Sequence, residues 1–253
     1  MILEIEALNF AYGKEKVLKN INLKAHKGEL ITLIGPNGSG KSTLLKCINN
    51  YLNIQQGKIK VKGKKIGDFS RKELAKIIAY VPQAAEDKFN LNVFETVLMG
   101  RKPYSSWKAE AEDKKITAKV ISRLGLENIA FKDLNDLSGG QRQKVFIARA
   151  AAQQAELLLL DEPTNNLDLK HQLEIFNLIR TEIENGKTAI VTMHDLSLVS
   201  RFSDRIIMLK EGSVFSDGSC SSLSAAKINS VYGVEVSLKE HNGKKLVIPE
   251  KVI

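Results

Sequence analysis

The sequence predicts an α/β fold: a mainly parallel sheet with flanking helices, preceded by an antiparallel β subdomain and interrupted by an inserted helical subdomain. Three observations predict it. Short apolar runs alternate with helix-length stretches through "ELLLLDEP", "LDLKHQLEIFNLIRTEIENG", "TAIVTMHD", "LSLVSRFS" and "RIIMLKEGSV", the order expected of parallel strands covered on both faces. The first third instead alternates apolar and polar residues with period two. From about residue 84 to 136 the pattern turns helical before strand–helix alternation resumes.

Composition sets the bounds. A chain of 253 residues, 43% hydrophobic and 26% charged, suits one large soluble domain with an inserted lobe and excludes wholesale disorder. No apolar run approaches the eighteen residues of a membrane span, and the acidic start "MILEIEALNF" lacks the basic region of a secretory signal. Cys47 and Cys220 show no metal or redox spacing, so a reducing cytoplasm is expected. The net charge of +9 is concentrated: residues 1–83 hold 15 Lys/Arg against 6 Asp/Glu, and the rest of the chain is nearly balanced. That surplus fits an anionic partner, or a solvated face together with a polyphosphate pocket. No aromatic residues interleave with the lysines of "GKIKVKGKKIG", so nucleic acid is not expected.

Taken in order, "MILEIEALNFAY" and "VLKNINLKAHKGELITLIG" read as strands, the last part a short buried one that ends in glycine. A helix follows over Ser42–Asn49, then strand and turn in "GKIKVKGKKI". Ser70 and Glu73 form a capping box before "RKELAKI". "IAYVPQ" is a strand stopped at Pro82. Asn92 with Glu95 caps a helix over "VFETVLMGR", and "WKAEAEDKKITAKVISRLGL" is helical as far as Gly125. The organisation is a nucleotide-binding core with its β subdomain over 1–83 and 136–215, a helical subdomain over 84–135 and a C-terminal extension over 216–253.

"GPNGSGKST" fits G-x-x-x-x-G-K-[ST] and lies between a buried strand and a helix, the context this phosphate loop requires. It makes the core one of the P-loop NTPase type. Gly35, Pro36, Asn37, Gly38, Ser39 and Gly40 bring backbone N–H groups to the phosphates of ATP. Lys41 adds a positive charge at the β- and γ-phosphates, Ser42 a hydroxyl for Mg²⁺, and Thr43 a further hydroxyl. "LLLLDEP" ends a second buried strand in two carboxylates: Asp161 to hold Mg²⁺, Glu162 to orient or deprotonate the attacking water. His194 ends the apolar run of "IVTMHD". Such a histidine is either structural or, at the carboxyl end of a parallel strand, a hydrogen-bond donor near the γ-phosphate. Gln83 ends another strand beside the lobe and can contact Mg²⁺ or the attacking water. His26, His171 and His241 match no motif and read as surface or structural.

In "LSGGQRQKVFIARA", Ser138 and Gln141 form a capping box, and Gly139 and Gly140 let another molecule come close to the helix start. By itself the motif leaves an ordinary capped helix open. It lies at the end of the inserted lobe, far from Lys41 in sequence. A head-to-tail dimer would let each copy offer Ser138, Gly139 and Gly140 to ATP held by the other.

These motifs together resemble the ATP-binding-cassette ATPases over nearly the whole chain: phosphate loop at Gly35–Ser42, Gln83, "LSGGQ" at Leu137–Gln141, Asp161 with Glu162, "TNNLD" ending at Asp168, then His194. The resemblance implies Glu162 as catalytic base assisted by Lys41, Gln83 and His194, Tyr12 stacking on adenine, and Asp168 at the dimer interface. It also implies two ATP and Mg²⁺ at a homodimer interface. "NVFETVLMGRKPYSSW" and the "SVYGVEV…VIP" tail are similar to the subfamily importing ferric siderophores, haem and cobalamin. Two departures are Asn92 where threonine is usual and Cys220 where proline is expected. Membership implies a peripheral ATPase on the cytoplasmic face of the membrane, with integral-membrane permease subunits and, indirectly, an extracytoplasmic substrate-binding protein. The alternatives are a soluble cassette ATPase of iron–sulfur cluster assembly and a nucleic-acid- or ribosome-associated module.

Overall fold

The computed structural model describes residues 1–83, 91–105, 109–241 and 243–253. The first half of the chain gives β1 (Leu3–Tyr12), β2 (Glu15–Ala25), β3 (Leu30–Ile34), α1 (Lys41–Ile48), β4 (Gln56–Val61), β5 (Lys64–Lys65), α2 (Arg71–Ala75), β6 (Ile78–Val81), α3 (Val93–Leu98) and α4 (Ala111–Arg123). The second half gives α5 (Gly139–Ala152), β7 (Leu157–Asp161), α6 (Leu169–Glu184), β8 (Thr188–Thr192), α7 (Leu196–Phe202), β9 (Arg205–Lys210), β10 (Ser213–Ser219), α8 (Ala225–Tyr232), β11 (Val234–His241) and β12 (Lys244–Val252). Residues 1–68 with 188–253 form one compact unit, and residues 69–187 another.

In the first unit, β2, β1, β4 and β5 form an antiparallel sheet in that order. The apolar spacing of β1 is two, then three, then two: Leu3, Ile5, Leu8 and Phe10 are all buried. A regular strand would turn Leu8 outward. The register shifts between Ile5 and Leu8 instead, with Ala7 at φ 47°, and this irregularity returns Leu8 to the core. On the wet side Lys60 pairs with Glu4 at 3.3 Å and Glu6 at 2.8 Å, so acids of β1 meet part of the lysine surplus.

The parallel strands of this unit explain themselves by composition. Every residue of β3 and β8 is buried, which suits "LITLI" and "TAIVT" to strands covered on both faces. β3 runs parallel to both β8 and β9, and β10 returns antiparallel along β9. The extension forms α8 and the β11–β12 hairpin, with the Lys245 N–H donating to Ser200 Oγ of α7 at 3.0 Å.

In the second unit, β6 and β7 pair in parallel from Ile78 and Leu157 to Val81 and Leu160. Helices α3, α4 and α5 bury Val93, Val97, Val120, Ile121, Val145 and Ala148 in a core of their own. The predicted capping boxes at Ser70/Glu73, Asn92/Glu95 and Ser138/Gln141 all form. Residues 84–90 of the predicted lobe, and Ser106 and Trp107 of its subfamily motif, lie outside the described residues.

The "GRKPY" part of that motif has a packing reason. A Cβ at Gly100 would stand 2.2 Å from Arg149 O, so only glycine lets this turn lie against α5. The buried Arg101 then donates from Nε to Asp113 Oδ1 at 3.0 Å and from Nη1 to Ala152 O at 2.9 Å and Gln154 Oε1 at 2.8 Å. Its guanidinium also lies 4.0 Å from the Tyr104 ring centroid. One side chain therefore ties α4 to the carboxyl end of α5, where a cation also meets the negative end of the helix dipole.

Candidate nucleotide site

The first unit carries the phosphate loop. Strand β3 delivers Gly35, whose φ is 150° and whose Cβ would stand 2.2 Å from Leu209 O. Gly40, at φ 98°, starts α1 and has no side chain with which to cap it; the first turn of a helix points its N–H groups outward, where an anion can take them. Lys41 is buried, its ammonium donating to Gly35 O at 2.8 Å and Pro36 O at 3.1 Å. Ser39 Oγ is buried with no hydrogen-bond partner among the described residues. An uncapped helix start, a lysine drawn over the loop and an orphaned hydroxyl fit a bound polyphosphate.

Tyr12 ends β1 with 48% of its surface exposed. Its ring stands edge-on to Phe10, centroids 4.9 Å apart, leaving it available for stacking. His194 is exposed just past β8 and is pinned on both sides. Before it, the Met193 N–H donates to Leu33 O at 3.2 Å; after it, Asp195 caps α7 through the N–H groups of Ser197 and Leu198 at 2.8 and 3.1 Å.

The second unit carries the carboxylates. Asp161 is buried at the end of β7, with Tyr80 Oη donating to its Oδ2 at 3.4 Å. Glu162 adopts φ 48°, which is unfavourable for a residue with a Cβ and holds roughly 1–3 kcal/mol of strain. Its Oε2 accepts from Gln83 Nε2 at 2.6 Å and from Asn165 Nδ2 at 3.1 Å. Gln83 and Glu162, singled out separately in the sequence, are thus in contact. Asn165 was missed there, although "TNNLD" contains it.

At the start of α5, Ser138 Oγ accepts from the Gln141 N–H at 3.3 Å, and Gln141 Oε1 accepts from the Ser138 N–H at 3.1 Å. Gly139 faces open space, whereas a Cβ at Gly140 would stand 2.4 Å from the His171 ring. Asp168 caps α6 and keeps an exposed carboxylate, whose pKa is lowered first by the His171 N–H and then by the His171 ring. Tyr232 was also missed. Burial pushes its phenol up to about 12, and the Gly35 backbone beside its hydroxyl pulls the other way without meeting full hydrogen-bond geometry. The extension therefore reaches the phosphate loop.

Ser42 carries a hydroxyl, Asp161 a carboxylate and Gln83 an amide oxygen, each by itself the kind of hard oxygen donor that Mg²⁺ takes. No cluster of three His, Cys, Asp or Glu able to hold a metal by itself occurs among the described residues.

The ABC transporter family model matches residues 18–165, more than half of the chain. An uncharacterized ABC transporter ATP-binding protein of Methanocaldococcus jannaschii is 44% identical, the match covering 98% of each chain. The iron(3+)-hydroxamate import ATP-binding protein of Bacillus subtilis is 42% identical over 85% of this chain and 81% of its own. Among solved structures, an inward-facing one described as a metal-chelate type ABC transporter superposes with a TM-score of 0.86 at 27% identity, covering 98% of this chain and 97% of that one. A dimeric post-hydrolysis cassette bound to ADP and phosphate reaches a TM-score of 0.76 at 32% identity, covering 88% and 100%. The chain belongs to the ABC transporter family. It is an ATP-binding subunit with the P-loop ATPase fold and hydrolyses ATP to drive transport; cassettes of this kind form dimers.

Proposed function

We propose that this chain energises import of an iron chelate. It works as a head-to-tail homodimer on the cytoplasmic face of the membrane, with integral-membrane permease subunits and an extracytoplasmic binding protein that delivers the cargo. The import relatives favour this reading over iron–sulfur cluster assembly or a nucleic-acid module. On the lobe, Phe131 is 82% exposed and stacks on Phe94 with centroids 6.1 Å apart, an apolar contact point for the permease.

The contact between Gln83 and Glu162 carries the catalytic reading. Tyr12 stacks on the adenine, and residues 35–43 cradle the phosphates. Lys41 moves from the Gly35 and Pro36 carbonyls to the β- and γ-phosphate oxygens. Ser42, Asp161 and Gln83 would hold Mg²⁺, which neutralises charge on those phosphates when bound. Glu162 takes the proton of the attacking water as its oxygen bonds to the γ-phosphorus; the bond to the bridging oxygen breaks and ADP leaves with the electron pair. Gln83 donates to Glu162 through Nε2, so its carbonyl oxygen stays available to the metal or water and relays the state of the site into the lobe. His194 donates to the γ-phosphate. Ser138, Gly139, Gly140, Gln141 and Asp168 complete the site on the partner copy's ATP.

Replacing the base tests this. Glu162→Gln is expected to bind ATP and dimerise but to release phosphate about 100-fold or more slowly. Turnover at the wild-type rate would refute the assigned base. A pull-down from solubilised membranes tests the transport reading: a polytopic membrane protein in equal amount supports it, and a soluble partner alone contradicts it.

A further inference from the structure

Gly140 lies against a histidine that no motif selects. A Cβ there would stand 2.4 Å from Cδ2, 2.6 Å from Cγ and 3.0 Å from Nε2 of His171. The imidazole therefore fills the space a side chain would need at the second residue of α5. The opposite edge of the ring is also committed: Nδ1 lies 2.8 Å from Asp168 Oδ1, and the His171 N–H donates to the same oxygen at 2.8 Å. A carboxylate only accepts, so Nδ1 carries the hydrogen. Further along both helices, Lys144 of α5 pairs with Glu174 of α6. Helices α5 and α6 are thus clamped twice along one line, first by the ring beneath Gly140 and then by this ion pair.

The juxtaposition exceeds what capping requires. Asp168 already caps α6 through the main-chain N–H of residue 171, which any residue except proline supplies. The ring adds a second bond to Asp168 and a close packing contact with Gly140. We propose that His171 is a positioning residue that fixes the Ser138–Gly140 turn relative to Asp168, so that both reach the partner copy's ATP in one arrangement. This rests on the reading that Ser138–Gln141 and Asp168 act on nucleotide held by the other copy.

The test uses the full chain and four variants: His171→Ala, His171→Asn, Gly140→Ala and the Gly140→Ala/His171→Ala double variant. Binding of a fluorescent ATP analogue by the monomer reports the phosphate-loop side. ATP-driven dimerisation, read in a Glu162→Gln background, and kcat in the otherwise wild-type chain report the dimer. His171→Ala is expected to keep analogue affinity within about twofold and to lower kcat about tenfold. His171→Asn keeps an N–H for Asp168 but lacks the ring edge, so it falls between. Gly140→Ala alone clashes with the ring and loses at least as much; removing the ring should restore part of that loss, so the double variant does better than the product of the single effects.

Wild-type dimerisation and kcat in His171→Ala would overturn the proposal, as would multiplicative losses in the double variant. Should His171→Ala fail to fold, His171→Asn decides the matter: lowered dimerisation and kcat with analogue affinity kept support the proposal, and wild-type values overturn it. Ser138→Arg separates the two levels. If it still closes on ATP, the reading of the α5 turn fails and His171 falls with it. If it cannot close while His171→Ala closes normally, only the role of His171 is lost.

Discussion

Two glycine-rich turns open helices in this chain, Gly35–Gly40 before α1 and Ser138–Gly140 before α5, and they are built on opposite plans. The first is packed inward: Lys41 is buried over its own loop carbonyls, Gly35 presses on Leu209, and α1 starts with no side-chain cap. The second caps itself through Ser138 and Gln141 and leaves Gly139 facing open space. A loop with uncapped N–H groups and an inward lysine is arranged to take most of a ligand's charge. A capped, exposed turn makes a lighter contact and needs the ligand brought to it on another surface.

The comparison breaks most visibly at Lys41. Lys41→Ala is expected to lower phosphate release by about 100-fold or more, with weaker nucleotide binding by the monomer and an unchanged unfolding midpoint. An effect on dimerisation alone would assign this lysine to the other plan. Next comes the far end of α5. Arg101→Met leaves Asp113 buried without its cation and should destabilise the chain by about 3 kcal/mol, measured by denaturant unfolding. Acid sharpens this. The Ser105 hydroxyl, then Arg101, holds the Asp113 carboxyl below its usual range. Its contribution to stability is complete above the unfolded carboxylate pKa, about 4, and is lost as pH falls through the lower folded value. Arg101→Met should narrow that acid-dependent loss; an identical profile in both chains would discount the pair. The smallest effect separates the turns glycine by glycine. Gly40→Ala forces φ 98° on a residue with a Cβ placed 2.8 Å from Leu18, and should cost about 1 kcal/mol or more and weaken analogue binding. Gly139→Ala meets nothing within 4 Å and should leave monomer stability and analogue binding unchanged. Equal losses at both positions would remove the distinction.

Much of this was legible in the sequence because the chemistry is local there. Loop glycines, capping boxes and carboxylates at strand ends each sit within a few residues of the element that explains them. What was not legible depends on contacts across long separations between ordinary residues. His171 meets Gly140, Tyr232 lies beside Gly35, and Asn165 joins Gln83 on Glu162; none of these has a spacing rule. The "GRKPY" stretch was legible as a family resemblance, but its physical content, a guanidinium bound to Asp113 and to the end of α5, needed the fold. The period-two reading of the first third fails within β1, where the register shift at Ala7 turns both Ile5 and Leu8 inward.

Glu162 has a consequence for how such a chain can be altered. Its backbone occupies a conformation that glycine adopts freely, so selection for thermal stability alone would tend to discard the carboxylate. A library screened only for heat resistance would therefore drift toward well-folded proteins unable to turn over. The conflict between local comfort and use marks this position as one that a folding criterion alone would never choose.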